Sequence, residues 1–255
     1  MAVNYGPKIV TTDLRTAVDF GSRRSAPTGT GVQGTTTIEI QDLSGNNERW
    51  NTANNVVITD DYLDNTSPQH NGYVYHIGNT NLMKWATDPN LSAFQVVQHH
   101  EVIIRSSDTG GRILSRAWNG SGQYNYGLSN GGWDIACDGG SASISISPGI
   151  CDGNIHHVAV GMTGREIYYY VDGGTACGGY QGTANHGIGN GRAPSAGDAN
   201  LRGIIGTLYA YGTNWNGING HQCAGEYYAY RMYTRRLTDD EVAQNFYAAK
   251  YRFGI

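Results

Sequence analysis

The chain has 255 residues, 37 of them glycine and only 6 proline, with 15% charged residues and a formal net charge of −4. So sparse and mild a charge, with no clustered Lys and Arg, excludes the footprint of a nucleic-acid binder. No apolar stretch of about 18 residues is available to span a bilayer. Glycine at about twice its usual share, with no three-residue period, belongs in turns and bulges, and the length suits one large all-β domain.

The start of the chain, Met1-Ala-Val-Asn-Tyr5, lacks the apolar run of a secretion signal, so a chain made in a reducing cytoplasm is expected. Residues 1–34 hold one short apolar run (Ile9, Val10, Leu14) before Ser22-Arg-Arg-Ser25. This segment is expected either to lie on the domain as an edge strand or to anchor the chain to a neighbouring subunit, with the domain itself over residues 35–255. Thr35–Ile40 and Ser141–Ser147 alternate with period two, which gives each strand one wet and one buried face. Further strands are expected over Val56–Ile58, Tyr73–Ile77, Phe94–Arg105, Arg112–Trp118, Trp133–Cys137, Ile155–Met162, Glu166–Val171, Leu201–Tyr211 and Ala224–Tyr233. Asp172-Gly-Gly174 is a tight turn that needs positive φ. The Gly-, Asn- and Ser-rich stretch Gly178–Asn200 is expected to be the longest loop.

The chain ends in a strand, a basic turn at Arg235-Arg236 and one helix. Thr238 and Glu241 have the spacing of a capping box, and Val242, Phe246 and Ala249 recur at helical spacing, so one helix face is buried. Arg235-Arg236 reads as a solvated turn or as a contact to a neighbouring subunit.

Three stretches resemble a known family. Gln41-Asp-Leu-Ser-Gly-Asn-Asn47 is similar to a turn near the start of many laminin-G-like domains. Arg112-Ile-Leu-Ser115, Asp152-Gly-Asn-Ile-His-His-Val-Ala159 and Tyr168-Tyr-Tyr-Val-Asp-Gly173 follow the core order of the same family, with Ile155 where the family has Trp. The C-terminal strand and helix, closing on Arg252-Phe-Gly-Ile255, form the third. Together they resemble the concanavalin A-like/laminin-G-like domains of tailed-phage virion proteins. The resemblance implies an all-β, two-sheet antiparallel jelly-roll sandwich with a short C-terminal helix. It also implies a non-enzymatic virion protein on capsid or tail, serving decoration or attachment and binding glycans weakly. Its partners would be other virion proteins, further copies of itself and a cell-surface glycan. The rival readings are a soluble or cell-surface carbohydrate-binding lectin and, third, a glycan hydrolase.

Catalytic signals are missing. Glycanases of this fold resemble one another in carrying acid and nucleophile on one strand, roughly 5–5.5 Å apart in retaining enzymes, and no Glu-x-Asp-x-x-Glu occurs here. The adjacent pairs His99-His100 and His156-His157 are expected on strands, where neighbouring side chains point to opposite faces and do not share an ion. No cofactor is required. Calcium is the one cation that the resemblance suggests, through loop oxygens that suit a hard ion, with Asp134, Asp138, Asp152 and Asp172 as candidates. Sugar recognition calls for an aromatic face beside planar polar groups. Trp118-Asn119, Tyr124, Tyr126, Trp133 and above all Asn214-Trp215-Asn216 supply that pairing. The four cysteines have no C-x-x-C spacing and read as free thiols, with Cys137–Cys151 and Cys177–Cys223 as the bridges weighed against that.

Overall fold

The computed structural model describes residues 8–31, 38–53, 56–66, 73–77, 96–116, 125–137, 140–145, 149–164, 166–185, 203–206 and 223–255. In chain order the strands begin with β1 (Leu14–Asp19), β2 (Gly29–Gly31), β3 (Glu39–Gln41), β4 (Arg49–Ala53), β5 (Val56–Ile58) and β6 (Leu63–Asp64). There follow β7 (Tyr73–Ile77), β8 (Val96–Arg105), β9 (Arg112–Arg116), β10 (Asn125–Ser129), β11 (Gly132–Cys137) and β12 (Gly140–Ser145). The series closes with β13 (Ile155–Gly164), β14 (Glu166–Val171), β15 (Tyr180–Asn185), β16 (Gly203–Ile205), β17 (Glu226–Tyr233) and the helix α1 (Asp239–Phe253).

They form two antiparallel sheets. The larger runs β15-β14-β13-β8-β17-β6-β5-β2, with β1 also on β17; the smaller runs β12-β11-β10-β9-β16-β7-β4-β3. Strand β6 takes Glu226 and Tyr227 at one edge of β17, and β1 takes Ala229 to Tyr233 farther along the same edge. Leu14–Asp19 is thus part of the larger sheet. The expected β5, β7 and β14 have the predicted bounds. Tyr180–Asn185, read as loop, is instead a strand on β14. It has no apolar alternation, so backbone pairing alone makes it.

The alternation of each strand sorts its side chains. Val102 and Ile104 of β8, Val158, Val160 and Met162 of β13, and Tyr230 and Met232 of β17 face Ile40, Trp50, Val74, Ile113, Leu128 and Ile205 of the smaller sheet in one core. Full burial of each such aliphatic side chain contributes about 1.5–3 kcal/mol. Trp50 also ties the sheets together: its indole donates to Thr16 Oγ1 at 3.1 Å, and its ring stands edge-on to Tyr230 at 5.5 Å. The opposite face of the larger sheet lies under α1, where Leu14, Ala159, Tyr170, Tyr233, Leu237 and Val242 make a second apolar layer.

The resemblance motifs have structural roles. Asp42 Oδ1 accepts the Ala17 and Ser44 N–H groups at 2.7 and 3.0 Å, and the Asn46 amide donates to the Leu14 and Arg15 carbonyls, so this turn clamps β1. The Asp172-Gly-Gly turn has φ of 51°, 75° and 77°, as predicted. The capping box is formed, with Glu241 N–H on Thr238 Oγ1 at 3.3 Å and Thr238 N–H on Glu241 Oε2 at 2.9 Å. The helix buries Val242, Asn245, Phe246 and Ala249. Arg235 and Arg236 are not merely solvated. Arg235 forks onto Glu241 at 2.6 and 2.7 Å, and the Arg236 guanidinium lies 3.5 Å above the Tyr168 ring.

Candidate functional site

On the outer face of the larger sheet, beside the last turn of α1, is an open pocket of about 380 Å³ lined by Gly21, Asp61, Tyr62, Arg105, Ile155, Tyr228, Arg252 and Phe253. Its floor is aromatic. The Tyr62 and Tyr228 rings are 5.5 Å apart at 52°, and Tyr228 and Phe253 are 5.5 Å apart at 61°. Below them Ile103, Ala229 and Ala249 form a small apolar cluster that holds the rings in place. Gly21 lets the β1–β2 connection approach: a Cβ there would lie 2.5 Å from the Asp61 carbonyl oxygen.

Two guanidiniums flank the rings, each held by a carboxylate. Arg105 of β8 and Glu226 of β17 are cross-strand partners and form an ion pair. Glu226 also accepts the Tyr228 hydroxyl at 2.7 Å. Burial together with that bond pushes the Tyr228 phenol up, so it stays a donor at physiological pH. Arg252 pairs with Asp19, its NH2 donating to Oδ1 at 2.7 Å. Burial nevertheless raises the Asp19 carboxyl, against the lowering charges of Arg252 and Arg231. With Asp61 on the rim, two guanidiniums stand against three carboxylates. The pocket therefore offers an apolar surface of mutually tilted rings flanked by donors and acceptors, with no excess of positive charge.

The calcium candidates Asp152 and Asp172 come together around His156, which approaches Asp172 Oδ2 with Nδ1 at 2.9 Å and Asp152 Oδ1 with Nε2 at 3.1 Å. The hydrogen bond to Asp172 raises the imidazole against the opposing effect of burial. Two bonds from Asn154 lead in holding Asp152 at about 2. An imidazole thus takes the position between the carboxylates. Among the described residues no group of three or more His, Cys, Asp or Glu side chains is arranged to hold a metal ion. The His pairs split as expected. His157 is fully buried under α1, while His99 and His100 lie on opposite faces of β8.

The sugar candidates Trp118, Asn119, Tyr124, Asn214, Trp215 and Asn216, and the calcium candidate Asp138, lie outside the described residues. Tyr126 is in β10 and Trp133, Asp134 and Cys137 are in β11, their side chains likewise outside the description. The sequence did not point to the pocket. It is assembled from separate segments, and Phe253 and Arg252 stood out only as part of the C-terminal fold marker. Ile155, the departure from the family Trp, lies at this pocket and not in the core between the sheets.

No protein-family model matches the chain, and no curated protein matches it. Solved structures do resemble it. The binding domain of botulinum neurotoxin serotype D/C matches with a TM-score of 0.57 at 12% identity, over 94% of this chain and 53% of that one. The serotype D ligand-binding domain in complex with N-acetylneuraminic acid matches with a TM-score of 0.57 at 8% identity, over 93% and 51%. The binding domain of Paraclostridial Mosquitocidal Protein 1 matches with a TM-score of 0.53 at 16% identity, over 87% and 52%. The chain thus spans about half the length of these structures. At such identities the likeness establishes the fold, a mostly antiparallel β-sandwich.

Proposed function

We propose that the chain is a non-catalytic recognition domain whose pocket at Tyr62, Tyr228 and Phe253 binds an uncharged glycan. The observation that carries this reading is the aromatic floor beside paired guanidiniums and carboxylates. A pyranose ring lays its apolar C–H face on such a floor while its hydroxyls exchange hydrogen bonds with the rim. The two arginines are already neutralised by Glu226 and Asp19, so an acidic sugar would meet a site with no free positive charge. That solved neighbours are binding domains, one of them in complex with a sugar, supports a binding role. We further place the domain on a phage capsid or tail as a decoration or attachment protein among other virion proteins and copies of itself. That placing rests on the sequence resemblance. Leu14–Asp19 pairs with β17, and anchoring by residues 1–34 is part of the same reading.

A glycan array probed with the whole chain, with millimolar calcium and with EDTA, tests the binding reading. Saturable binding to neutral glycans, equal in both buffers and lost in Tyr62→Ala and Phe253→Ala, is the expected result. Binding only with calcium would move the site to the aspartates, and no binding would remove the glycan role. Detecting the chain in purified particles tests the virion placing.

A further inference from the structure

Strands β13 and β17 flank β8 and both begin opposite its last residue, Arg105: Ile155 pairs with Arg105 on one side and Glu226 on the other. The segments that lead into these strands therefore converge on the next residue, Ser106. The Ser106 carbonyl accepts the Gly153 N–H at 2.9 Å, and its hydroxyl donates to the Ala224 carbonyl at 2.6 Å. The same hydroxyl lies 3.5 Å from Cys223 Sγ. Cys151 and Cys223, distant in sequence, thus reach one point of the core, and both belong to the buried cluster between the sheets. Cys151 lies two residues before Gly153 and Cys223 one before Ala224, so the bonds to Ser106 bring both thiols to it; Cys223, aided by burial, pushes the Cys151 thiol up, and Cys151 lowers that of Cys223 against the effect of burial. Cys177 is elsewhere, packed over Gly173 beside the Phe246 ring and interacting with Tyr247. Cys151 and Cys223 meet where the sequence had suggested Cys137–Cys151 or Cys177–Cys223.

We propose that Cys151 and Cys223 are an oxidation site that closes to a disulfide when the domain meets a low-molecular-weight disulfide such as oxidised glutathione. The Cys223 thiolate attacks one sulfur of the small disulfide and expels one small thiolate, which takes up a proton. Cys151, on losing its own proton, then attacks Cys223 Sγ in the mixed disulfide and releases the second small thiol. Two protein thiols become one disulfide and one small disulfide becomes two thiols. Because both sulfurs are buried, the exchange proceeds as the chain folds or opens, not by attack on the closed core. The product staples the entries of β13 and β17 across the end of β8, the strand end that also carries Arg105 of the pocket. The inference stands independently of what that pocket binds.

Incubation or refolding of the whole chain in a glutathione redox buffer, followed by non-reducing digestion and mass spectrometry, tests it. The expected result is a linked pair of peptides carrying Cys151 and Cys223, two hydrogens lighter than their sum. The melting temperature should rise by ~5 °C or more, because the bridge closes a long loop. The Cys137→Ser/Cys177→Ser double variant keeps both effects, and Cys223→Ser loses both. If that single variant fails to fold, the double variant still decides. Full alkylation of Cys151 and Cys223 by iodoacetamide after oxidation and denaturation overturns the proposal, as does linkage of either to Cys137 or Cys177.

Discussion

Glu101 is a carboxylate with almost no exposure, between the larger sheet and α1, and its replacement by Ala probes how the helix is held. The Asn245 amide donates to both of its oxygens at 2.9 and 3.0 Å, and Arg231 NH1 donates at 3.1 Å. His157 and His99 approach Oε1 with Nε2 at 3.5 and 3.7 Å, beyond hydrogen-bond reach but close enough to act as charges when protonated. Burial works to raise the Glu101 carboxyl, but His157, together with His99 and the Arg231 charge as the group ionises, outweighs it and holds the carboxyl well below its usual range. Asn245 extends the cluster by accepting the Val10 N–H at 2.7 Å and donating to the Tyr233 hydroxyl at 2.9 Å. Glu101→Ala leaves Arg231 buried without its ion-pair partner and leaves the Asn245 amide only the Tyr233 hydroxyl as acceptor. Orphaning one member of a buried ion pair costs about 3–5 kcal/mol. For a chain of this size that lowers the melting temperature by roughly 6–20 °C. Scanning calorimetry of wild type and variant reads the difference. Replacing both charges, as Glu101→Leu/Arg231→Met, should recover at least half of the loss, because two apolar groups leave no ion unpaired. A fall of less than about 3 °C for Glu101→Ala, or a double variant worse than the single, would refute the reasoning.

Two further predictions concern stability. Burial, opposed by Glu101, lowers the His99 imidazole below its ordinary 6.5, so the unfolded chain binds a proton that the fold does not. Stability is therefore whole above pH 6.5 and declines as pH falls from there through the folded value. His156 is raised by Asp172, and its contribution is present below pH 6.5 and lost as pH rises through its folded value. Melting temperatures measured from pH 5 to 8.5 should fall toward both ends, and His156→Gln should flatten the alkaline side alone. Thr238→Ala removes the oxygen that caps α1 and should cost about 1 kcal/mol in urea unfolding, with Thr238→Ser close to wild type.

What was legible in the sequence follows from how local each signal is. Short β-prone runs between turn signals set the bounds of β5, β7 and β14, and the Thr238/Glu241 spacing set the helix start. Tyr180–Asn185 was hidden because an edge strand held by backbone pairing needs no apolar alternation. Residues 1–34 were read two ways because one short apolar run fits either an edge strand or an arm. Leu14–Asp19 pairs with β17 and is held by the Asp42 clamp. Glu101 directly follows His99-His100 in the chain, but its link to His157 crosses from β8 to β13 and leaves no spacing in the sequence. The pocket is the extreme case. Tyr62, Arg105, Ile155, Tyr228 and Phe253 come from five elements or their ends, and only the fold makes them neighbours. Cys151 and Cys223 meet for the same reason, at the shared end of β8.

The central claim is that the aromatic pocket, and not a loop cation site, carries recognition. Titration of a neutral glycan found on the array into wild type, Tyr62→Ala and Asp152→Asn, followed by calorimetry in millimolar calcium and again in EDTA, tests it most directly. The account predicts that Tyr62→Ala weakens binding about tenfold or more, that Asp152→Asn leaves it unchanged, and that all three proteins melt as folded domains. Undiminished affinity in Tyr62→Ala, with loss in Asp152→Asn, would contradict it.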